Sequence, residues 1–144
     1  MNPNVNPNAI VLPAIAMFFL TATLIARMGF LRVRAVQRGE IPIAYYRLYN
    51  EGEQPDRLQQ IGRHVQNHFE APPLFYAVLL FLYVTSAVTP LSVGLAWLYV
   101  GLRAVHSVVH LGRNDVRRRL IVWATSMLVL ASLWIVLLVH VARR

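Results

Sequence analysis

The stretch RLQQIGRHVQNHFEAPPLFYAVLLFLYVTSAVT, residues 57–89, changes character in its middle. Up to Glu70 it is polar and charged, whereas Ala71–Thr89 is a run of 19 residues with no charged side chain. A helix needs about 20 apolar residues to cross the hydrocarbon core of a bilayer. The stretch therefore reads as one long helix, about residues 56–88. Its first three turns project from the membrane or line a cavity, and the remainder spans. Asp56 offers a cap at Pro55-Asp56, and Pro72 and Pro73 predict a kink where the polar and apolar parts meet.

Three more spans follow from the same reasoning. Ile10–Ala26 carries no charge, and a first span of about residues 9–37 results if the helix runs on past Arg27, with Pro13 near its start where a missing N–H costs least. It lacks the basic start of a signal peptide and is expected to be retained. Thr89-Pro90 makes a tight connection to a third span, about 91–112, and the basic RNDVRRR leads to a fourth, about 118–142, apolar apart from His140. Residues 1–9, with two Asn-Pro steps, read as a short exposed arm. Residues 38–55 read as a polar loop broken by Gly39, Pro42, Gly52 and Pro55.

Composition agrees. The 144 residues are 57 % hydrophobic and 14 % charged, with a mean hydropathy of +0.50, whereas soluble domains carry about a quarter charged residues. The expected fold is an all-α integral membrane four-helix bundle forming a single domain over residues 1–144. Fourteen Arg against six acidic residues give a net charge of +8. Seven Arg lie between Arg27 and Arg63 and four in RNDVRRR, against none in the second connection or the N-terminal arm and two at Arg143-Arg144. By the positive-inside rule the two Arg-rich loops are expected in the cytoplasm and both termini on the opposite side, in the inner membrane if the source is bacterial. Basic residues beside apolar spans suit anionic lipid headgroups, not nucleic acid. The absence of Lys suits bidentate anion binding and equally fits a compositional bias. With no Cys there is no disulfide, thiolate zinc site or catalytic Cys, so any thiol chemistry must come from a ligand.

The polar residues near the membrane form a constellation. Arg63, Asn67 and Glu70 stand at i, i+4 and i+7 on one helical face. Arg103, His106 and His110, at i, i+3 and i+7, offer a complementary face on the third span. A carboxylate beside hydrocarbon is costly unless a cation meets it, so Glu70 is expected to pair with Arg103 or Arg63, either as a structural ion pair or as part of a site. Several donors around one carboxylate suit a small zwitterion bearing carboxylates and an ammonium. His64/His68 and His106/His110 are both HxxxH pairs, a spacing compatible with a metal or haem iron. His64 and His68 lie one position off the Arg63–Asn67 stripe and either share its cavity or face solvent. Tyr45, Tyr46 and Tyr49, followed by Glu51, Glu53 and Asp56, suit the headgroup region, as do Trp97, Trp134, His140 and Trp123, the last also placed to border a ligand site.

RHVQNHFEAPPLF, LRAVHSVVHLGR and RRRLIVW resemble the signature stretches of the MAPEG superfamily, the membrane-associated proteins in eicosanoid and glutathione metabolism. The resemblance spans about residues 57–142, and its most specific part is Arg-x-x-x-Asn-x-x-Glu before Pro and an apolar span. It implies a homotrimer of four-helix protomers with glutathione as co-substrate between protomers near the cytoplasmic face. It implies that Arg63, Asn67 and Glu70 contact glutathione, Glu70 taking its amino group, and that Arg103, His106 and His110 belong to the same site. Arg119 matches the arginine that stabilises the thiolate, with Arg117 as the alternative, and one of Arg34 and Arg38 matches a further glutathione contact. The activity implied is that of a glutathione transferase or peroxidase acting on hydrophobic electrophiles. The sequence departs from better-characterised members at His106 or His110 and at Trp123, where tyrosines are expected, and at Gln66, which is Arg in some. Two other readings remain: a member without glutathione chemistry that binds lipid or a protein partner, and a His-ligated metal or haem protein. No metal ligand set is assigned.

Overall fold

The computed structural model describes residues 6–49 and 54–143, all of it helix, turn or loop, with no strand among the described residues. Residues 1–5 of the expected arm, Glu51 and Glu53 of the acidic run, and Arg144 lie outside the described residues. In the arm's described part Asn6 accepts from the Asn8 N–H and starts a 3-10 turn, Pro7–Ile10, that leads into the first helix.

Helix α1, Val11–Gln37, is 27 residues long, about 40 Å at 1.5 Å per residue and longer than the hydrocarbon core alone requires. It ends in a left-handed cap at Gly39 (φ 68°), where the Gly39 N–H donates to Val36 O and the Glu40 N–H to Ala35 O, both at 3.0 Å. The loop beyond is not structureless: α2, Tyr45–Leu48, makes a single turn within it. Ile41 and Tyr45 bury against Ala35 of α1 and Leu58 of the next helix, pinning the loop down.

The long second helix is in fact two. α3, Asp56–Glu70, and α4, Pro72–Val84, are separated at Ala71. Pro72 and Pro73 have no N–H for the carbonyls of His68 and Phe69, so the kink becomes a break. Asp56 does not cap α3; Pro55 holds the N-cap position without a side-chain bond, and Asp56 is the first helical residue. α4 stops at Val84, and Ser86 takes a left-handed cap (φ 56°) of the Gly39 kind, with Ser86 N–H to Tyr83 O and Ala87 N–H to Leu82 O. Thr89 and Ser92 then close a reciprocal capping box that starts α5, Pro90–Leu111. Asp115 accepts from the N–H groups of Arg117 and Arg118 at the start of α6, Val116–Ala142.

Among the described residues three helices are long and apolar enough to cross a membrane: Pro7–Gln37, counting the initial turn, Pro90–Leu111 and Val116–Ala142. α4 is apolar but only 13 residues long. The main core gathers Met17, Phe75, Val78, Leu82, Tyr99 and Leu133 from all four apolar helices, and Phe75 stacks on Tyr99 with ring centroids 4.5 Å apart. Large apolar side chains such as Phe18, Phe19, Leu128 and Leu138 face outward, as a lipid-facing surface requires.

Candidate functional site

α3, α5 and the first turns of α6 line an open cavity of about 410 Å³, a size typical of small-molecule sites. Arg63, Gln66, Asn67 and Glu70 come from α3, His106 and His110 from α5, and Arg119 from α6 beside Val116, Leu120 and Trp123. Asp115 sets this wall: with Val116 as first helical residue, positions 116, 119, 120 and 123 fall on one face. A polar crevice of about 250 Å³ shares Arg63, His110 and Arg119 with the cavity and extends to Asp56 and Asn114. Six of the expected residues are thus brought together: Arg63, Asn67, Glu70, His106, His110 and Arg119.

Four others are placed elsewhere. Arg117 is exposed on the opposite side of α6 and lines neither space. Arg34 is exposed with its guanidinium over Phe30, and Arg38 pairs with Glu40 at 3.9 Å. Arg103 is fully buried and does not reach the cavity lining. The expected pairing of Glu70 with Arg103 or Arg63 is not formed: among the described residues the ion pairs are Arg38 and Arg57 with Glu40, and Arg118 with Asp115. The break at Ala71 gives the reason. It leaves the last carbonyls of α3 without helical partners, and Arg103 Nη2 donates to one of them, Asn67 O, at 3.1 Å. A cation at a helix C-terminus also meets the negative end of the helix dipole. Glu70 is left exposed on the cavity wall.

The histidines cluster. His64 and His68 do not face solvent; they and His106 and His110 are each at most 2 % exposed. His64 is central, its ring 5.0 Å from that of His68, 5.4 Å from His106 and 4.7 Å from His110. His68 Nδ1 meets Thr21 Oγ1 at 3.1 Å, tying α3 to α1. Both ring nitrogens of His106 are buried and lack a partner among the described residues, although the residue lines the cavity. One nitrogen each from His64, His106 and His110 lies within 4.8 Å of the others, a separation that could hold a metal ion. Against that use stands the Arg119 guanidinium, 3.2 Å from His110 Nε2.

Arg119 Nη1 also donates to Asn114 Oδ1 at 3.0 Å. Asn114 takes a left-handed conformation (φ 52°) between α5 and α6, and that turn carries its amide to Arg119. Asn114 and Ser107 also belong to this network and stand out little in the sequence. An Asn-Asp step ahead of a helix was the available signal for the first. For Ser107, the signal was only its position inside the Arg103–His110 segment.

Together these features define an all-helical integral membrane protein with a cationic, carboxylate-bearing cavity at one end of its spans. The chain belongs to the MAPEG family, whose model matches residues 10–139. No curated protein and no solved structure is similar enough to this chain to match it.

Proposed function

We propose that this chain is a membrane-bound glutathione-dependent transferase or peroxidase acting on hydrophobic electrophiles. The observation that carries the reading is the meeting of Arg63, Asn67, Glu70, His106 and Arg119 around one cavity that also has apolar walls. Glutathione is a zwitterion with two carboxylates, an ammonium and a thiol, and it supplies the thiolate that attacks an electrophilic carbon or a peroxide oxygen. Glu70 takes the ammonium, and Arg63 and Asn67 the carboxylates. Arg119 holds the thiolate, because a guanidinium in hydrogen-bond reach favours the ionised sulfur. Leu120 and Trp123 receive the electrophile from the bilayer.

The functional unit in this reading is a homotrimer with the site between protomers, so Arg34 or Arg38 of a neighbouring protomer can complete it. Positive-inside orientation puts this end of the bundle in the cytoplasm, against anionic lipid. α4 and the end of α3 together make the remaining crossing.

Calorimetric titration of the detergent-solubilised protein with glutathione, with an ultraviolet scan for bound thiolate, tests the activity. Saturable binding with a thiolate band is expected. No binding to a folded trimer would retire this reading in favour of a lipid- or partner-binding role. A visible absorption band dependent on His106 or His110 would favour the metal or haem reading instead. Native mass spectrometry from mild detergent should show trimers; monomers or dimers alone would remove the site between protomers.

A further inference from the structure

A hydrogen-bonded chain runs inward from the cavity wall, and it has one consistent direction. Arg119 can only donate, so Nε2 of His110 is its acceptor and carries a lone pair. The hydrogen of the neutral His110 ring is then on Nδ1, which lies 2.9 Å from Nδ1 of His64. Two nitrogens so placed share one proton, so His64 accepts there and carries its own hydrogen on Nε2. That Nε2 donates to Ser107 Oγ at 2.8 Å, and the Ser107 hydroxyl donates to Arg103 O at 2.9 Å. Each donor meets an acceptor, which no other protonation of the two imidazoles achieves.

We propose that His64 and Ser107 are positioning residues that act through His110 to hold the Arg119 guanidinium against the cavity, an inference resting on the thiolate-holding reading of Arg119. A free arginine side chain samples many rotamers, and ordering it costs conformational entropy. Its partners are fixed beforehand instead: His64 and His110 are buried, and Ser107 is anchored to its own helix backbone. The chain orients and does not carry the thiol proton, because a guanidinium does not give up its own proton in a protein. His64 lines neither the cavity nor its crevice, so its influence on a ligand must pass through His110.

Histidine-selective 15N labelling of the full detergent-solubilised chain reads the protonated nitrogen of each ring without any ligand. The expected spectrum shows neutral rings, with His110 protonated at Nδ1 and His64 at Nε2. In His64→Leu the His110 Nδ1–H loses its acceptor and the ring its hold on Arg119, so the His110 hydrogen should redistribute between both nitrogens. In His64→Gln, whose amide can accept from His110 and donate to Ser107, it should stay on Nδ1. His110 protonated at Nε2 in the unaltered chain, or unmoved in His64→Leu, overturns the proposal. The kinetic arm uses glutathione with a chloronitrobenzene as electrophile. His64→Leu should lower kcat about tenfold, as loss of an orienting partner commonly does, with KM for glutathione unchanged, and His64→Gln should recover most of it. Equal losses in both variants, or a loss confined to KM, would also overturn it. Absence of turnover in the unaltered chain counts against the glutathione reading, while the tautomer spectra still decide the chain.

Discussion

The Arg119 guanidinium is held on two sides by one nitrogen, Nη1, which donates to Nε2 of His110 at 3.2 Å and to Asn114 Oδ1 at 3.0 Å. If this group stabilises a thiolate, its removal should act on the chemical step and not on binding. Arg119→Ala is expected to leave the calorimetric affinity for glutathione near its starting value while kcat falls about 100-fold, the usual cost of one preorganised donor to a developing anion. Asn114→Ala should give a smaller fall in kcat, since His110 remains. Unchanged turnover in Arg119→Ala would remove the catalytic assignment.

Glu70 should show the opposite split. It is exposed on the cavity wall, has no ion pair among the described residues, and is the carboxylate lining that cavity. Glu70→Gln keeps the shape and deletes the charge, so glutathione affinity should fall about tenfold, roughly 1.4 kcal/mol for a charge-assisted contact. Calorimetry checks this, and an unchanged affinity would exclude Glu70 as the ammonium partner.

The sequence reveals three of the spans because hydrocarbon tolerates so few charges: the uncharged run from Ile10 to Ala26 lies in a helix long enough to cross, whereas the equally uncharged run from Ala71 to Thr89 holds a helix of only 13 residues. The stripe Arg63–Asn67–Glu70 was legible for the same geometric reason, since helical spacing alone puts the three on one face. Spacing does not say which carbonyls are left open where α3 ends at Ala71, and Arg103 donates to one of them, Asn67 O, instead of pairing with Glu70. Nor does it fix which way an HxxxH pair turns; His64 and His68 face inward because α3 packs on α1 and α5. The choice between Arg117 and Arg119 depended on where α6 starts, two residues before the apolar pattern suggests, because Asp115 caps it.

The Phe75–Tyr99 stack joins α4 to α5 with both rings fully buried. Phe75→Ala should cost about 3–5 kcal/mol, since the gap left behind forfeits packing that lipid cannot replace. Tyr99→Phe tests a subtler point. The Tyr99 hydroxyl is buried with no partner among the described residues, so deleting it removes an unmet polar group and leaves the stack intact. Its thermal midpoint in detergent should equal or exceed that of the unaltered chain. A marked drop would show that the hydroxyl has a bonding role in the folded protein.

Gly39 and Ser86 occupy equivalent left-handed caps, at φ 68° and 56°, after α1 and α4. Each donates its N–H into the preceding helix, and the next residue does the same, so the backbone geometry at the two positions is alike. Only the residue type differs, and a Cβ in this region is strained. A Cβ at Gly39 would meet no atom within 4 Å, so substitution there reports backbone strain without a clash. Gly39→Ala should therefore destabilise by about 1 kcal/mol, and Ser86→Gly should stabilise by somewhat less, because glycine also gains freedom in the unfolded chain. Thermal midpoints of both variants check the pair. Two shifts of the same sign would mean that the left-handed cap does not govern stability at these positions.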